Sequence, residues 1–297
     1  MRVRTSPGRR RFDFLPYGFV LPLLAIVCFV FLYPLLSAVY LSFHNNYGDY
    51  IGIKNYARLF NDRSFWFNVK LTFLYIVLYA VGVFFVGFVT ALVGNTNWRG
   101  QKICNTFMTL PYAIPDVAAS LLWMWIFDYN YGVLNYILRG LGLISQPVGW
   151  LISPDVAMHG VILATVWRLF PLHSMIILAA LRSVPRELYE SASIDGANAA
   201  QSFVHITVPS IKRVLEVLML LTIVWSFQRF TILYLLTGGG PAGSTETAVV
   251  RIYRTAFEYF DPSYAYTMGT IVLLLLLIIT GVFLWVTRSK EEGGMAR

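Results

Sequence analysis

Three ionisable side chains stand where an apolar sequence should exclude them. Asp116, Arg168 and Arg229 each interrupt a long, mostly apolar stretch. Placing such a group at mid-bilayer costs about 2.5–3.5 kcal/mol on insertion scales, so it usually faces a cavity or a charged partner. The chemistry this allows is a polar path for a hydrophilic solute. Each residue has a plainer reading too. Asp116 could lie near the outer surface and satisfy backbone groups freed by Pro111 and Pro115. Arg168 could snorkel or pair with another helix. Around Arg229 the pattern is richer: Trp225, Ser226, Gln228 and Arg229 fall within about one and a half helical turns. An indole can stack on the apolar face of a sugar ring while hydroxyl, amide and guanidinium groups meet its hydroxyls. Trp225, Ser226, Gln228, Arg229 and Asp116 are therefore the candidate substrate-binding residues. Polar side chains also act as helix-helix glue in bilayers, and the motif alone does not decide between the two roles.

No arrangement calls for catalysis. The chain has no G-x-x-x-x-G-K-[ST] phosphate loop, so ATP hydrolysis is not expected of it. It has no H-E-x-x-H and no G-x-S-x-G. His44, His159, His173 and His205 are scattered, and no metal site is expected. Cys28 and Cys104 occupy unrelated positions in apolar runs and read as small buried side chains.

The elements that must position these residues are membrane helices. Of 297 residues, 57% are hydrophobic and 13% charged. Soluble domains carry about 25% charged residues, so a water-soluble enzyme is excluded, as is a disordered chain. The net charge of +8 reflects orientation in a bilayer, not a nucleic-acid partner. The first span lies within Phe14–Phe43 and follows Arg2, Arg4, Arg9, Arg10 and Arg11. A signal peptide has an apolar core of about 7–15 residues and a small-residue cleavage site; this run is longer and lacks the site. Leu71–Val93 is the second span. The third lies near Ile103–Phe127, the fourth near Val156–Leu181, the fifth at Val214–Leu236 and the sixth within Pro262–Thr287. With the N-terminus inside, cytoplasmic segments hold 14 Lys and Arg residues and outer segments hold 7. That bias puts both ends in the cytoplasm. The chain reads as one transmembrane domain over residues 1–297, all-α, with cytoplasmic tails 1–13 and 288–297 and an inner loop 182–213. The outer connection His44–Lys70 has room for a short helix.

The inner loop carries the most information. Pro185 suits a first helical turn, and Glu187 and Glu190 complement the positive end of the helix dipole. Ser191, Ala192 and Ser193 leave little bulk. Gly196 can close the helix in a left-handed conformation. The loop is a short helix, a turn and a second helix: a knob able to enter a groove on another protein, or an amphipathic cap lying on the membrane.

This stretch resembles the E-A-A-x3-G-x9-I-x-L-P signature of inner-membrane permease subunits of ABC importers. Glu190, Ala192, Asp195 and Gly196 match, followed after nine residues by Ile206 and then Pro209. Ser191 and Val208 depart conservatively from the usual Ala and Leu. Asn55-Tyr56 with Phe65-Trp66, Leu110-Pro111 to Ile114-Pro115, Trp123 to Asp128, Ile252-Tyr253 to Ala256-Phe257, and Leu236-Thr237-Gly238-Gly239-Gly240-Pro241 look like the carbohydrate-uptake branch. One subgroup of that branch has eight spans and a large outer domain; this chain looks like the common six-span form.

The resemblance implies a type I ABC importer permease fold in a bacterial or archaeal cell membrane. It implies a second homologous permease, an ATPase dimer that holds ATP and Mg, and an extracytoplasmic solute-binding protein. This chain itself would bind no cofactor and no nucleic acid. Glu190, Ala192, Asp195 and Gly196 would couple to the ATPase, whose closure drives alternating access. The expected cargo is a di- or oligosaccharide, with glycerol 3-phosphate or another polyol as the rival. Two intramembrane arginines are few donors for a phosphate, which favours neutral sugar. A stand-alone secondary transporter using Asp116, Arg168 and Arg229 as a charge relay is the reading from another class, and a membrane-embedded enzyme a third.

Overall fold

The computed structural model describes residues 15–96 and 98–295, with side chains from Gly18 to Thr287 apart from residue 97. The tail 1–13 and the last two residues of the tail 288–297 lie outside the described residues. The chain folds as α1 (Leu15–Val27), a π turn at Cys28–Leu32, α2 (Tyr33–Leu41), α3 (Lys54–Phe60), α4 (Arg63–Asn95), α5 (Gln101–Ala113), α6 (Asp116–Ile126) and α7 (Val133–Gly140). It continues with α8 (Pro154–Arg182), α9 (Arg186–Ile194), α10 (Ala199–Ser202), a π turn at Phe203–Thr207, α11 (Val208–Phe227), α12 (Thr231–Thr237), α13 (Ala248–Phe257) and α14 (Pro262–Met295). No strand is present among the described residues.

Four helical stretches are long and apolar enough to cross a membrane: Gly18–Leu41, Arg63–Asn95, Pro154–Arg182 and Pro262–Thr287. Two bent pairs bring the number to six, α5 with α6 at 99° and Ala199–Phe227 with α12 at 47°. The third span breaks at the second of its prolines, Pro111 and Pro115, whereas the fifth, Val214–Leu236, is not one straight run but breaks after Phe227. The second span is longer than Leu71–Val93, because α4 begins at Arg63. Asp62 caps that start, its carboxylate accepting from the backbone N–H groups of Ser64 and Phe65. The short helix allowed for between His44 and Lys70 is α3.

Both π turns have one local cause. Each ends two residues before a proline, Pro34 or Pro209. Proline has no N–H for the carbonyl four residues earlier, and its ring crowds that oxygen. Widening the helix by one residue relieves the crowding: Tyr33 N–H reaches Cys28 O, and Val208 N–H reaches Phe203 O.

The centre of the bundle is α4 against α8. Glycines let them approach closely, as small residues do between membrane helices. A Cβ on Gly87 would lie 2.8 Å from the Cβ of His173, and one on Gly82 would lie 2.9 Å from Val166 Cγ2. His173 reaches on to α11, its Nε2 hydrogen-bonded with Thr222 Oγ1 at 2.8 Å. Around this seam Tyr75, Tyr79, Trp123, Phe127, Leu169, Phe227 and Leu233 form the main apolar core. A second core, including Ala91, Ile177, Leu181 and Ile211, lies toward α9. A third, with Leu59, Phe65 and Met268, lies toward α13. The first span is exposed along its length, with α2 packing on α14.

Candidate functional site

The two helix breaks meet, and the three stray charges meet with them. Ile114 precedes a proline, which forces it extended, at φ −77° and ψ 129°. Pro115 cannot donate to α5, so that helix stops at Ala113 and a new one starts at Asp116. Asp116 therefore sits in the first turn of α6, where the helix dipole favours a carboxylate. The second break has no proline or glycine. Gln228 N–H and Arg229 N–H bond to Trp225 O and Ser226 O, tightening the end of α11. Phe230 then stacks on Tyr234 and packs against Tyr253, at centroid separations of 4.9 and 4.7 Å. α12 lies against α6.

Arg168 is the middle residue of α8, equally far from Pro154 and Arg182. Its Nε lies 3.3 Å from Asp116 Oδ1. Arg229 Nη1 lies 3.9 Å from Asp116 Oδ2. One carboxylate thus stands between two guanidiniums. The arginine side chains are only 12% and 16% exposed, the aspartate 34%. Arg168 also lies over the Tyr112 ring, 5.2 Å from its centroid. Asp116 is spoken for by the arginines rather than by backbone groups freed at the prolines.

The remaining predicted residues divide. Trp225 and Gln228 are exposed, four residues and one residue before Arg229 in the chain. Ser226 is buried, and its hydroxyl donates to Thr222 O at 2.6 Å, within its own helix. Arg168, Tyr112 and Asp116 join the constellation from other helices. Tyr112 was not a sequence candidate; its position one residue after a mid-span proline was the available signal.

The knob follows the C-terminal end of α8. Val184, Ile211 and Leu181 fix its base, and Tyr189 Oη hydrogen-bonds with Thr207 Oγ1 at 2.9 Å. Arg182 Nη2 and Gln101 Nε2 both donate to Gly94 O, tying the α4–α5 turn to it. α9 buries none of its own residues. Pro185 stands just before the helix rather than inside its first turn. At the far end Ala197 N–H bonds to Ala192 O and Gly196 N–H to Ser193 O, a Schellman closure. It requires the left-handed φ of +81° found at Gly196. Nothing lies within 4 Å of a Cβ built there. Glu190, Asp195 and Gly196 are exposed, Ala192 half-buried and Ile194 87% exposed. The second helix of the loop, boxed by Asn198 and Gln201, runs through the π turn into α11.

At the opposite end the Gly-rich turn orders a buried carboxylate that sequence reasoning missed. Gly238 and Gly239 have φ of +60° and +89°, and Glu246 packs on Gly239. Glu246 accepts from Asn68 Nδ2 of α4 at 2.9 Å and from Arg254 Nη1 of α13 at 3.0 Å, with Arg251 at 3.7 Å. Ala248 N–H adds a bond to Thr72 Oγ1. A lone Glu in a loop carries no signal of burial. Among the described residues no group of three or more His, Cys, Asp or Glu could hold a metal.

Residues 84–291 match the family described as binding-protein-dependent transport system inner membrane component. The chain belongs to that family. It is a permease, a multi-pass membrane subunit of an ABC importer. It is 31% identical over 296 residues to the trehalose/maltose transport system permease protein of Thermococcus litoralis, spanning 97% of this chain and 98% of that one. It is also 31% identical over 276 residues to the sulfoquinovosyl glycerol transport system permease protein of Agrobacterium fabrum, spanning 91% and 89%. Its fold matches a chain in the crystal structure of a bacterial alginate ABC transporter in complex with an alginate pentasaccharide-bound periplasmic protein. That match has a TM-score of 0.80 at 26% identity and covers 91% of the permease and 93% of the other chain. The type I ABC importer permease fold expected from the sequence is therefore present.

Proposed function

We propose that this permease forms half of the translocation pathway for a saccharide, paired with a second homologous permease. An extracytoplasmic binding protein delivers the cargo, and a separate ATPase dimer, holding ATP and Mg, drives the cycle. The relatives named for trehalose/maltose and for a sulfoquinovosyl glycoside support a sugar cargo.

The observation that carries this reading is the meeting of two broken helices at a charged locus midway along α8. Irregular backbone and ionisable groups persist at membrane depth only where they line a cavity or face protein. Half-helix ends at such breaks are where transporters place polar cargo. Trp225 offers a stacking face there, with Gln228, Arg229 and Asp116 as polar partners. Ser226 contributes by shaping the end of α11.

The α9 knob is the coupling element. It stands about 21 Å along α8 from Arg168, at a rise of about 1.5 Å per residue. Glu190, Ala192, Asp195 and Gly196 enter a groove of the ATPase, with both termini on that same cytoplasmic side. Closure of the ATPase pair moves α9, and its rigid attachment to α8 and α11 carries the motion to the two breaks. The permease pair then opens outward, and hydrolysis returns it inward. Such a cycle needs a bundle with two arrangements whose balance the nucleotide state biases.

The test is reconstitution in proteoliposomes. The full complex should hydrolyse ATP faster with saccharide-loaded binding protein and accumulate the sugar. Solute movement by this chain alone, without ATP, would instead mark a stand-alone transporter.

A further inference from the structure

The charges at the helix breaks do not balance. Two guanidiniums share one carboxylate, which leaves a single positive charge deep in the bundle. The first turn of the 11-residue α6 adds partial positive charge at the same place. The donors are not filled either. Arg168 Nε and Nη1 and Arg229 Nε are buried and have no hydrogen-bond acceptor. Arg168 Nε is within ion-pair distance of Asp116 yet not aligned for a hydrogen bond. A guanidinium presents its N–H groups as a planar fork that matches the paired oxygens of an anion. Sugar hydroxyls can accept such bonds but cannot discharge the site. The Tyr112 ring lies under the Arg168 guanidinium, and Trp225, exposed four residues before Arg229 in the chain, supplies a second flat surface for a ring.

We infer that the site takes an acidic saccharide, one bearing a carboxylate, sulfonate or phosphate ester, whose oxygens fill the donors that Arg168 and Arg229 hold open. This rests on the saccharide reading proposed above and names its substrate class. Asp116 is the positioning residue: it holds the two guanidiniums around one point and lowers their joint charge so that one anionic group completes neutrality. The neutral cargo expected from the sequence rested on two intramembrane arginines being few donors for a phosphate. The fold puts them on one carboxylate.

The test uses the whole transporter in proteoliposomes, with its second permease, ATPase pair and binding protein. Four probes are compared by the ATP hydrolysis they stimulate: a uronate trisaccharide, the same trisaccharide with its carboxyls reduced to alcohols, a sulfonated glycoside and a sugar phosphate. At least one acidic probe should act at about tenfold lower concentration than the reduced trisaccharide. Arg229→Gln should erase that preference, while Arg229→Lys, which keeps the charge, retains part of it; assembly of the complex and its thermal unfolding report that both variants are folded. Equal or better stimulation by the reduced trisaccharide overturns the inference and leaves the saccharide reading intact, the open donors then being met by the second permease. Response to none of the four overturns both.

Discussion

Replacing Asp116 with Asn keeps the shape of the side chain and removes the charge that two buried arginines share. At an effective dielectric of about 20, the 3.3 and 3.9 Å contacts correspond to gross attractions of about 5 and 4 kcal/mol. Desolvation of the three groups cancels much of this, and breaking a buried ion pair by losing one partner costs about 3–5 kcal/mol in net terms. Asp116 is 34% exposed, so solvent screening takes the expected loss toward about 2–3 kcal/mol. The residual penalty comes from two like charges left facing each other at mid-span. Removing one of them should therefore rescue the variant. Arg168→Gln in the Asp116→Asn background should recover about 1–2 kcal/mol, a coupling within the range that contacting residues show. The assay is a double-mutant cycle on the purified complex, read by thermal or denaturant unfolding in one detergent. Strict additivity of the two substitutions, or an Asp116→Asn variant as stable as the wild type, would refute the shared-carboxylate account.

Three further outcomes are expected. Gly196→Trp, in open space but at a left-handed φ, should fold with a local cost of about 1–2 kcal/mol and fail to co-purify with the ATPase; Gly196→Asn, which tolerates that φ, should retain it. Gly87→Ala puts a methyl against His173 and should destabilise the α4–α8 seam by about 1–3 kcal/mol in an unfolding titration, whereas Gly269→Ala, with nothing near its Cβ, should be neutral. Glu246→Gln leaves Arg254 and Arg251 without their buried anion and should cost about 2–4 kcal/mol, with faster hydrogen exchange in α13 as the local signature.

Local physics was legible in the residue order. Apolar runs of bilayer length marked the spans, because each helix must satisfy its own backbone whatever its neighbours do. Pro111 and Pro115 announced the third span's interruption, since a missing N–H acts on the nearest turn. Gly196 announced the closure of α9 for the same kind of reason: its φ is a property of one residue. The break after α11 was invisible, because Gln228 to Phe230 contains no helix breaker and bends under contacts with α6, Tyr234 and Tyr253. Which side chains work together was likewise decided by packing. Ser226 looked like a donor for cargo and folds back onto Thr222. Glu246 drew no attention in the sequence and is a buried hub. Asp116, Arg168 and Arg229 were each visible as charges out of place, but electrostatic partnership depends on distance through space, and only the packing of α6, α8 and α11 made them one site.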